Sequence, residues 1–461
     1  MDVKTQTPYK GDNKLIIGIV FGVISYWLFA LSMSNYIPVI QNDLNVPFEV
    51  VNLAISLTSV FSGMFIIVIG GFADKYGHKK VTNIGFILYI IGSLFLVFAN
   101  GAIMLFVGRI IQGFSAASIM PATLALMKTY FHGAERQRAL SYWSIGSWGG
   151  TGLAPIITGA ITTYLGWRAV FVVSIIIAIM GMFLIKDVPE TEGSTQDNKK
   201  FDLLGICLLV VSVLSINIII TYGANFGWLS WKTISLLAVF ITAGTFFYQV
   251  ETNKDGFVDL TLFKNKAFTG ATVSNFLLNA TGGTILIATT YAQTSRNFTP
   301  FQSGMLTLGY MGSVLLTIRI GEKIGQKIGE RKPMIWGCLA TAVGIFMMSL
   351  TFIQGPLYAV LVFVGFIFFG TGTGIYATPS TDTVMSSVPL EKAGVAGGIY
   401  KMASSIGWGI GSAISGAVYD LMPNTSLSAM FGMLTNVVFC IIAIVFIAMT
   451  VPKGIFDKLD A

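Results

Sequence analysis

Charged side chains are scarce in this sequence: Asp, Glu, Lys and Arg make up only 11% of its 461 residues. Soluble domains carry roughly 25% of such residues. Hydrophobic residues reach 54%, and the mean hydropathy is +0.76. A chain this apolar buries its surface in lipid as well as in itself, so we expect an integral membrane protein in contact with a lipid bilayer.

Cysteine and histidine are also rare. Cys207, Cys338 and Cys440 are isolated within apolar runs, which argues against a disulfide framework and a zinc site. His78 and His132 fall in polar loops, which excludes a buried histidine proton relay. The sequence also lacks a P-loop and any Ser/His/Asp or Cys/His set, so we expect neither an enzyme nor a bound cofactor or metal. Energy would come from an ion gradient or from the substrate's own gradient.

Long apolar runs dominate what is present. Fourteen segments of about 20 residues are apolar enough to be spanning helices. The first is too long for the core of a signal peptide and lacks a small-residue cleavage site, so it is predicted to be retained. The predicted spans are 15–37, 50–69, 81–99, 103–126, 140–164, 169–185, 203–222, 234–250, 268–291, 303–320, 334–352, 357–379, 395–419 and 429–451.

The basic residues are distributed asymmetrically. If the N-terminus is cytoplasmic, 23 of the 28 Lys and Arg residues lie in inner loops and tails. Three lie in outer loops, and two, Arg109 and Lys401, lie within predicted spans. By the positive-inside rule both termini are predicted to be cytoplasmic. The net charge of +7 is therefore a topology signal with an anionic-lipid contact, and we expect no nucleic-acid partner.

An internal repeat divides the chain. Aligning Pro121 in the fourth span with Pro379 in the twelfth places one Gly-rich span over another. The first six and last six spans are therefore predicted to form two halves, with the seventh and eighth as an inserted pair. The predicted domains are an N-terminal tail (1–14), a six-helix bundle (15–185), a linker (186–202), the inserted helices (203–250), a second linker (251–267), a second six-helix bundle (268–451) and a C-terminal tail (452–461).

Residues 70–80, GGFADKYGHKK, join the second and third spans. The pattern G-x-x-x-D-[KR]-x-G-x-[KR]-[KR] resembles the cytoplasmic loop between helices 2 and 3 of the major facilitator superfamily. The alternative is an ordinary basic loop. His78 stands where the family usually has Arg. The resemblance implies a conformational latch, formed by Gly70, Asp74, Lys75, Gly77, Lys79 and Lys80.

The resemblance extends over almost the whole chain, to the fourteen-helix drug:proton antiporters of that superfamily. Residues 136–150 and 374–382 look like those of its quinolone-resistance exporters. The resemblance implies an all-α membrane protein with the major facilitator fold. It also implies a monomer in the bacterial plasma membrane that exports fluoroquinolones and other small amphipathic drugs by alternating access, in exchange for protons.

The fourth span contains Arg109 in the string L-x-x-x-R-x-x-Q-G-x-S-A-A, which resembles the helix-4 motif of the family. There the Arg is implicated in proton coupling or substrate binding. The alternative is a structural Arg bonded to backbone carbonyls. Lys401 in the thirteenth span is either a cavity cation or a side chain that extends to the cytoplasmic face. With these two cations we expect substrates that carry a carboxylate, or zwitterions, more than dications.

The fifth span is rich in glycine. It resembles the antiporter motif g-x-x-x-G-P-x-x-G-G, although Ala154 and Thr158 replace two glycines. The alternative is tight helix packing alone. The residues of this antiporter-type helix are Gly146, Gly149, Gly150, Pro155 and Gly159.

Acidic residues near the hydrocarbon occur only at helix ends, and the Asp that such exporters often carry in helix 1 is absent. Arg109, Glu322 and Asp382 are the candidates for proton coupling. Aromatic and amide residues are candidates for the drug pocket, although most of them would also suit packing. The substrate-binding candidates are Tyr26, Trp27, Asn35, Tyr36, Arg109, Gln112, Tyr142, Trp143, Asn275, Asn279, Tyr310, Tyr376 and Lys401.

Three other functions are alternatives for this sequence. A metabolite transporter on the same fold, proton-coupled or uncoupled, would favour amides over aromatics in its cavity, and this chain shows the opposite balance. A receptor or scaffold without transport is disfavoured by the short loops and the lack of a soluble domain. A membrane enzyme lacks a candidate nucleophile or metal cluster.

Overall fold

A computed structural model describes residues 9–131, 135, 138–139, 142–143, 146–147, 150–191, 202–253, 258–389, 392–421 and 425–453. Throughout these ranges the regular structure is helical. The helices are α1 (Asn13–Ile24), α2 (Ile37–Leu44), α3 (Phe48–Tyr76), α4 (His78–Val97), α5 (Ala102–Tyr130), α6 (Gly150–Leu165), α7 (Trp167–Leu184), α8 (Leu203–Phe226), α9 (Trp231–Asn253), α10 (Lys266–Ala280), α11 (Gly283–Arg296), α12 (Pro300–Leu306), α13 (Leu308–Ile328), α14 (Arg331–Met348), α15 (Pro356–Ser386), α16 (Ala393–Asp420) and α17 (Thr425–Thr450).

Eleven helices within the described ranges are long and apolar enough to cross a membrane. The predicted fifth, eleventh and thirteenth spans correspond to α6, α14 and α16, which do not meet that measure. Gly150–Leu165 is short, α14 begins with two basic residues, and α16 is rich in Gly and Ser. The all-helical architecture is confirmed, while the count of fourteen spans stays a prediction.

The first span is not one regular helix. After α1 the chain continues as a π-helix over Ser25–Ala30 and a 3₁₀-helix over Leu31–Asn35. The ninth span is also interrupted, between α10 and α11, where a Cβ on Gly282 would lie 2.3 Å from the Trp408 ring. Changes of helix type interrupt regular hydrogen bonding and often mark functional sites in membrane and soluble proteins.

We call residues 13–184 the first half and residues 266–450 the second half. In the first half α5 packs between α3 and α4, and in the second half α15 packs in the same way between α13 and α14. The two halves meet along α3 and α16, which run antiparallel from Asn52 beside Gly416 to Ile67 beside Gly398. Helix α8 packs against both α3 and α16, and α9 packs on α8.

The bundle has two ends, which we name by their residues. The loop end contains residues 70–80. The sequence predicts a loop there, but the structure continues α3 to Tyr76 and begins α4 at His78, so only Gly77 lies between the two helices. The closed end contains α2, the start of α3 at Phe48 and the last residue of α16, Asp420. Hydrophobic side chains from both halves form one continuous buried core.

Candidate functional site

Arg109 lies on α5 and is completely buried. Its Nε donates to the Ala54 carbonyl at 3.1 Å, and its Nη1 donates to the Ala30 carbonyl at 2.6 Å and to Gln112 Oε1 at 2.8 Å. The Thr58 hydroxyl in turn donates to the Arg109 carbonyl at 2.9 Å. The side chain therefore joins α5 to α3 and to the point where the first span changes from π-helix to 3₁₀-helix.

The Arg109 guanidinium keeps one nitrogen, Nη2, outside these hydrogen bonds. Within the described ranges, Nη2 of Arg109 is buried and has no hydrogen-bond partner. Tyr26, Tyr36 and Tyr89 lie close enough to interact with its charge, and all three are buried. A buried donor on a charged group is costly unless it finds an acceptor, so the site favours an anionic or strongly accepting group beside Nη2.

Lys401 is placed differently from Arg109. It lies on α16 and is exposed, and the described part of the chain offers it no hydrogen-bond or ion-pair partner. Its neighbours on the helix show where it faces: Ser405 packs on Gly63 of α3, whereas Ser404 bonds to Asn275 of α10. Lys401 lies between these two faces and so projects toward the interface of the halves.

A buried polar network ties together three helices of the second half. Asn275 donates to the Tyr400 carbonyl at 3.0 Å and to Ser404 Oγ at 2.6 Å. Ser274 Oγ and the Tyr376 hydroxyl are 2.7 Å apart, and Ser380 links Tyr376 to the Tyr400 hydroxyl. These contacts give Asn275 and Tyr376 a structural role in this conformation.

The remaining candidates for the drug pocket divide by exposure. Tyr310, like Tyr26, Tyr36, Asn35 and Gln112, is buried. Tyr142 is exposed, and three others are partly exposed: Trp27, Trp143 and Asn279. Trp143 donates to Thr123 at 3.2 Å and Asn279 donates to Asn275 at 2.9 Å, whereas the indole nitrogen of Trp27 has no partner in the described ranges.

The Gly-rich motif, on α6 and the residues just before it, packs on the first span and on the second half. Gly146 and Gly150 pack on the first span, at Val23 and Trp27 respectively. Gly159 faces the second half, where an added Cβ would lie 2.5 Å from the Pro300 carbonyl oxygen. Pro155 lies against the second half as well, because a Cβ on Gly304 would lie 2.3 Å from its carbonyl oxygen. Gly149, the remaining residue of the predicted motif, lies outside the described residues.

Asn35 holds the closed end together. Its Nδ2 donates to the Pro155 carbonyl at 2.8 Å within the first half and to the Pro300 carbonyl at 3.2 Å in the second. Gln293 of the second half donates to the Asn35 carbonyl. The Pro300–Leu306 helix is also held by Thr163, which accepts from the Phe301 amide at 3.2 Å. The described hydrogen bonds between the halves thus cluster toward the closed end.

At the loop end, the predicted latch residues bond within the first half and to the segment that follows it, at Lys186 and Glu190. Asp74 Oδ1 and His78 Nε2 are 2.9 Å apart. Glu190 accepts from the backbone amides of Lys79 and Lys80, each at 2.9 Å, and so caps the start of α4. Lys79 Nζ donates to the Lys186 carbonyl at 2.6 Å.

Gly77 is required by the geometry of this turn. Its φ is +104°, and an added Cβ would lie 2.4 Å from Glu190 Oε1. The remaining loop residues make weaker contacts: Gly70 faces Pro121 at 3.6 Å, and Lys75 Nζ lies 5.6 Å from the centre of the Tyr76 ring.

The two acidic candidates for proton coupling lie in the second half. Glu322 on α13 pairs with Arg319 at 2.8 Å and is partly exposed. Asp382 on α15 is exposed. Neither lies in the Arg109 network, so the structure does not bring the three predicted coupling residues together. Over the described ranges, no group of three or more His, Cys, Asp or Glu residues is placed to hold a metal ion.

Four polar residues at these contacts are absent from the prediction made from sequence: Glu190 and, on α8, Asn217, Thr221 and Asn225. Glu190 lies more than 100 positions from the loop it caps, so spacing alone gives no signal. The α8 residues do leave a signal, because they recur every four positions in an otherwise apolar helix and so share one face.

Comparison with known proteins gives concordant matches. The family described as Major Facilitator Superfamily matches residues 17–412 and 268–456. The chain is 48% identical over 457 residues to the quinolone resistance protein NorB of Staphylococcus aureus strains MRSA252 and COL, covering 98% of this chain and 99% of each relative. A crystal structure of the nucleoside transporter NupG superposes with a TM-score of 0.69 at 12% identity, covering 95% of this chain and 100% of the other. The POT family transporter PepTSo superposes with a TM-score of 0.68 at 14% identity, covering 96% and 98%.

Proposed function

Because the chain belongs to the major facilitator superfamily, a family of membrane transporters rather than enzymes, we propose that it exports fluoroquinolones and other amphipathic drugs in exchange for protons. One observation carries the proposal: the 48% identity to quinolone resistance protein NorB extends along 98% of the chain. The solved structures are too distant in sequence to suggest a substrate, and they support the fold alone.

The contacts between the halves support alternating access. The hydrogen bonds of Asn35 and the close approach of α6 to α12 seal the closed end. At the loop end, Asp74 is bonded within its own half, and Lys401 and Tyr142 are exposed. Such an arrangement suits a carrier that opens toward the loop end, and rocking of the halves would open the closed end in turn.

The distribution of basic residues indicates how the protein is oriented in the membrane, and therefore the direction of transport. The loop end carries Lys75, Lys79 and Lys80, and the positive-inside rule places this end in the cytoplasm. Both termini would then be cytoplasmic, and this conformation would accept drug from the cytoplasm. We expect a monomer in the bacterial plasma membrane, as the resemblance to single-chain exporters implies.

Arg109, which is buried, and Lys401, at the interface of the halves, favour a substrate that carries a negative charge. Lys401 is the accessible one, so it is the better candidate to meet a carboxylate on the drug. Arg109 is closed off in this conformation, but its Nη2 lacks a partner within the described ranges. Trp27 and Tyr142, both at least partly exposed, offer ring faces for planar drugs.

Proton coupling stays a proposal, with Arg109, Glu322 and Asp382 as the candidates from the sequence. Among these, Glu322 forms an ion pair with Arg319. The proposed latch at residues 70–80 would form when the loop end closes, because Asp74 would then exchange its His78 partner for groups of the other half.

The test is transport into inside-out vesicles under an imposed proton gradient, with norfloxacin as a carboxylate-bearing drug and ethidium as a cation without one. We expect gradient-driven uptake of norfloxacin that a protonophore abolishes, and vesicles without the protein serve as the control. If folded protein takes up neither compound, the chain is a transporter of another substrate, and the alternative of a metabolite carrier on this fold replaces the proposal.

A further inference from the structure

The inserted helix α8 lies at the seam between the two halves. It packs against α3 of the first half and α16 of the second. Asn217 Oδ1 accepts from Ser56 of α3 at 3.0 Å, and Asn225 donates to Glu49 at the start of α3. A helix added for membrane anchoring alone would not need these polar contacts.

Polar side chains on α8 form one stripe toward the closed end: Asn217, Thr221 and Asn225. Thr221 is only 5% exposed, and within the described ranges its hydroxyl has no hydrogen-bond partner. Nδ2 of the fully buried Asn217 is likewise without one. Buried polar groups are nearly always hydrogen-bonded, so two unsatisfied groups on one stripe indicate a site that takes a ligand.

Thr221 faces a cavity of about 40 Å³ between α8 and α16, and Asn225 and Asp420 line the same cavity. About 10–15 Å³ of such volume suffices for one water molecule, so the cavity has room for water beside these side chains. Asp420 is exposed at the mouth of the cavity, which gives the site access to solvent at the closed end.

Asn225, which lines the cavity with Asp420, connects two carboxylates from different halves. Glu49 belongs to α3 and is bonded to Asn225, and Asp420 belongs to α16 and is close enough to Glu49 to feel its charge. The residues next to them, Phe48 and Tyr419, are in ring contact, with centroids 5.2 Å apart. Each half therefore contributes one acid to the same place.

No cation balances these acids in the described part of the chain. The titratable groups that interact with these acids are phenols: Tyr222 of α8 lies near Glu49, and Tyr419 lies near Asp420 and Tyr291. Two basic side chains at this end contact other groups: Lys232 lies over the Phe226 ring, and Arg296 donates to the Thr351 and Ile353 carbonyls.

We propose that Glu49 and Asp420, with the Thr221–Asn225 face of α8, form a proton-binding site that spans the two halves and is complete only when the closed end is closed. Two neighbouring carboxylates without a counter-ion repel each other, which favours the binding of one proton from water at this pair while the end is closed. Opening this end separates the acids, and the proton returns to water as both ionise.

Closing this end therefore takes up a proton. Acid on that side favours closure, and loss of the proton leaves two repelling carboxylates that favour opening. If the proposed export function holds, external acid would drive the empty carrier back toward its drug-accepting conformation, a consequence that rests on the proposed function. The proton site itself is testable without any drug.

The experiment measures the distance between spin labels across the closed end as a function of pH. Ile103→Cys in the first half and Phe352→Cys in the second place the labels on exposed positions, in a background with Cys207, Cys338 and Cys440 replaced. The full chain is studied in lipid nanodiscs, without substrate, from about pH 8 to about pH 5. A single linked proton changes the ratio of closed to open molecules by at most about tenfold per pH unit.

We expect the closed fraction of the parent protein to rise as pH falls. Asp420→Asn and Glu49→Gln should each abolish this pH dependence and leave the closed end mostly closed. Asp420→Glu keeps the carboxylate and should retain the pH dependence, so it shows that a loss in Asp420→Asn is not caused by misfolding. The matched control is Asp43→Asn, at the same end. The hydrogen bond from Arg168 lowers the pKa of Asp43, so it stays ionised over this range and its removal should leave the pH dependence intact.

Two results would overturn the proposal. One is a closed fraction that does not change with pH in the parent protein. The other is a pH dependence that survives in both Asp420→Asn and Glu49→Gln. Because the measurement uses no drug, a failure of norfloxacin transport leaves this conclusion unaffected, and a negative distance result leaves the export function unaffected.

Discussion

Gly159 allows the closed end to close, and replacing it with alanine should hold that end open. An added Cβ would lie 2.5 Å from the Pro300 carbonyl oxygen, which is backbone at the start of α12, and 3.0 Å from Asn35 Nδ2. A carbonyl in the first turn of a helix cannot rotate away as a flexible side chain would. The methyl group must therefore push α6 and α12 apart, and the Asn35 bond to Pro300 is weakened with it.

The size of the effect follows from the cost of overpacking. Extra methyl groups in a well-packed interior cost about 1–3 kcal/mol. Every 1.4 kcal/mol changes an equilibrium about tenfold, so the ratio of closed to open molecules should fall by about 5-fold to 150-fold. The clash exists only when the halves meet, so the loss applies to one conformation and not to folding as a whole.

The assay is the same pair of spin labels, at Ile103→Cys and Phe352→Cys, combined with norfloxacin uptake. Gly159→Ala should lengthen the distance across the closed end and slow transport. Gly312→Ala is the matched control, since a Cβ at Gly312 on α13 would meet nothing within 4 Å. Unchanged distances and unchanged transport in Gly159→Ala would refute the reasoning that this glycine is needed for closure.

Four further predictions follow from the site. Lys401→Ala should reduce norfloxacin uptake by tenfold or more while leaving ethidium uptake within about twofold, since a charge-assisted hydrogen bond contributes about 1.5–3 kcal/mol; equal loss for both drugs would contradict a role in carboxylate binding. Gly77→Ala should lower the melting temperature of the purified protein, because the positive φ and the contact with Glu190 disfavour any side chain. Arg109→Lys should fold poorly or lose transport, because an ammonium cannot reach the Ala30 and Ala54 carbonyls and Gln112 together. Normal transport in this variant would show that the guanidinium geometry is not required. Asp74→Asn should impair transport without loss of folded protein, as judged by elution from a sizing column, and transport equal to the parent protein would remove the latch.

Much of the fold follows from local patterns in the sequence. Helix bounds are set by apolar length and by turn residues such as those at 70–80, and both signals are contained in a short window. The buried position of Arg109 also follows, because an ionised side chain in the middle of an apolar helix must find partners inside the protein. The family and the all-helical architecture are confirmed on this basis.

Other features depend on contacts that no short window contains. The first span changes helix type over residues 25–35, although this stretch has neither Gly nor Pro, the residues that would predict such a change. Glu190 caps α4 from more than 100 positions away, and only the folded chain brings them together. Asn275 and Tyr376 stay predicted drug contacts, although in this conformation Asn275 of α10 bonds to α16 and Tyr376 of α15 bonds to α10. An aromatic or amide residue looks the same in sequence whether it packs or binds.

The location of a charge relative to the seam indicates which step it can control. Arg109 bonds to α3, to the first span and to its own helix, all in the first half, so rocking of the halves leaves these bonds in place. A group whose partners move with it has the same energy in both conformations, and it cannot bias the equilibrium between them. Glu49 and Asp420 belong to different halves, so their mutual repulsion exists only when the closed end is closed. Arg109 therefore suits the binding of an anionic ligand, and a proton that controls conformation is better placed on the divided pair.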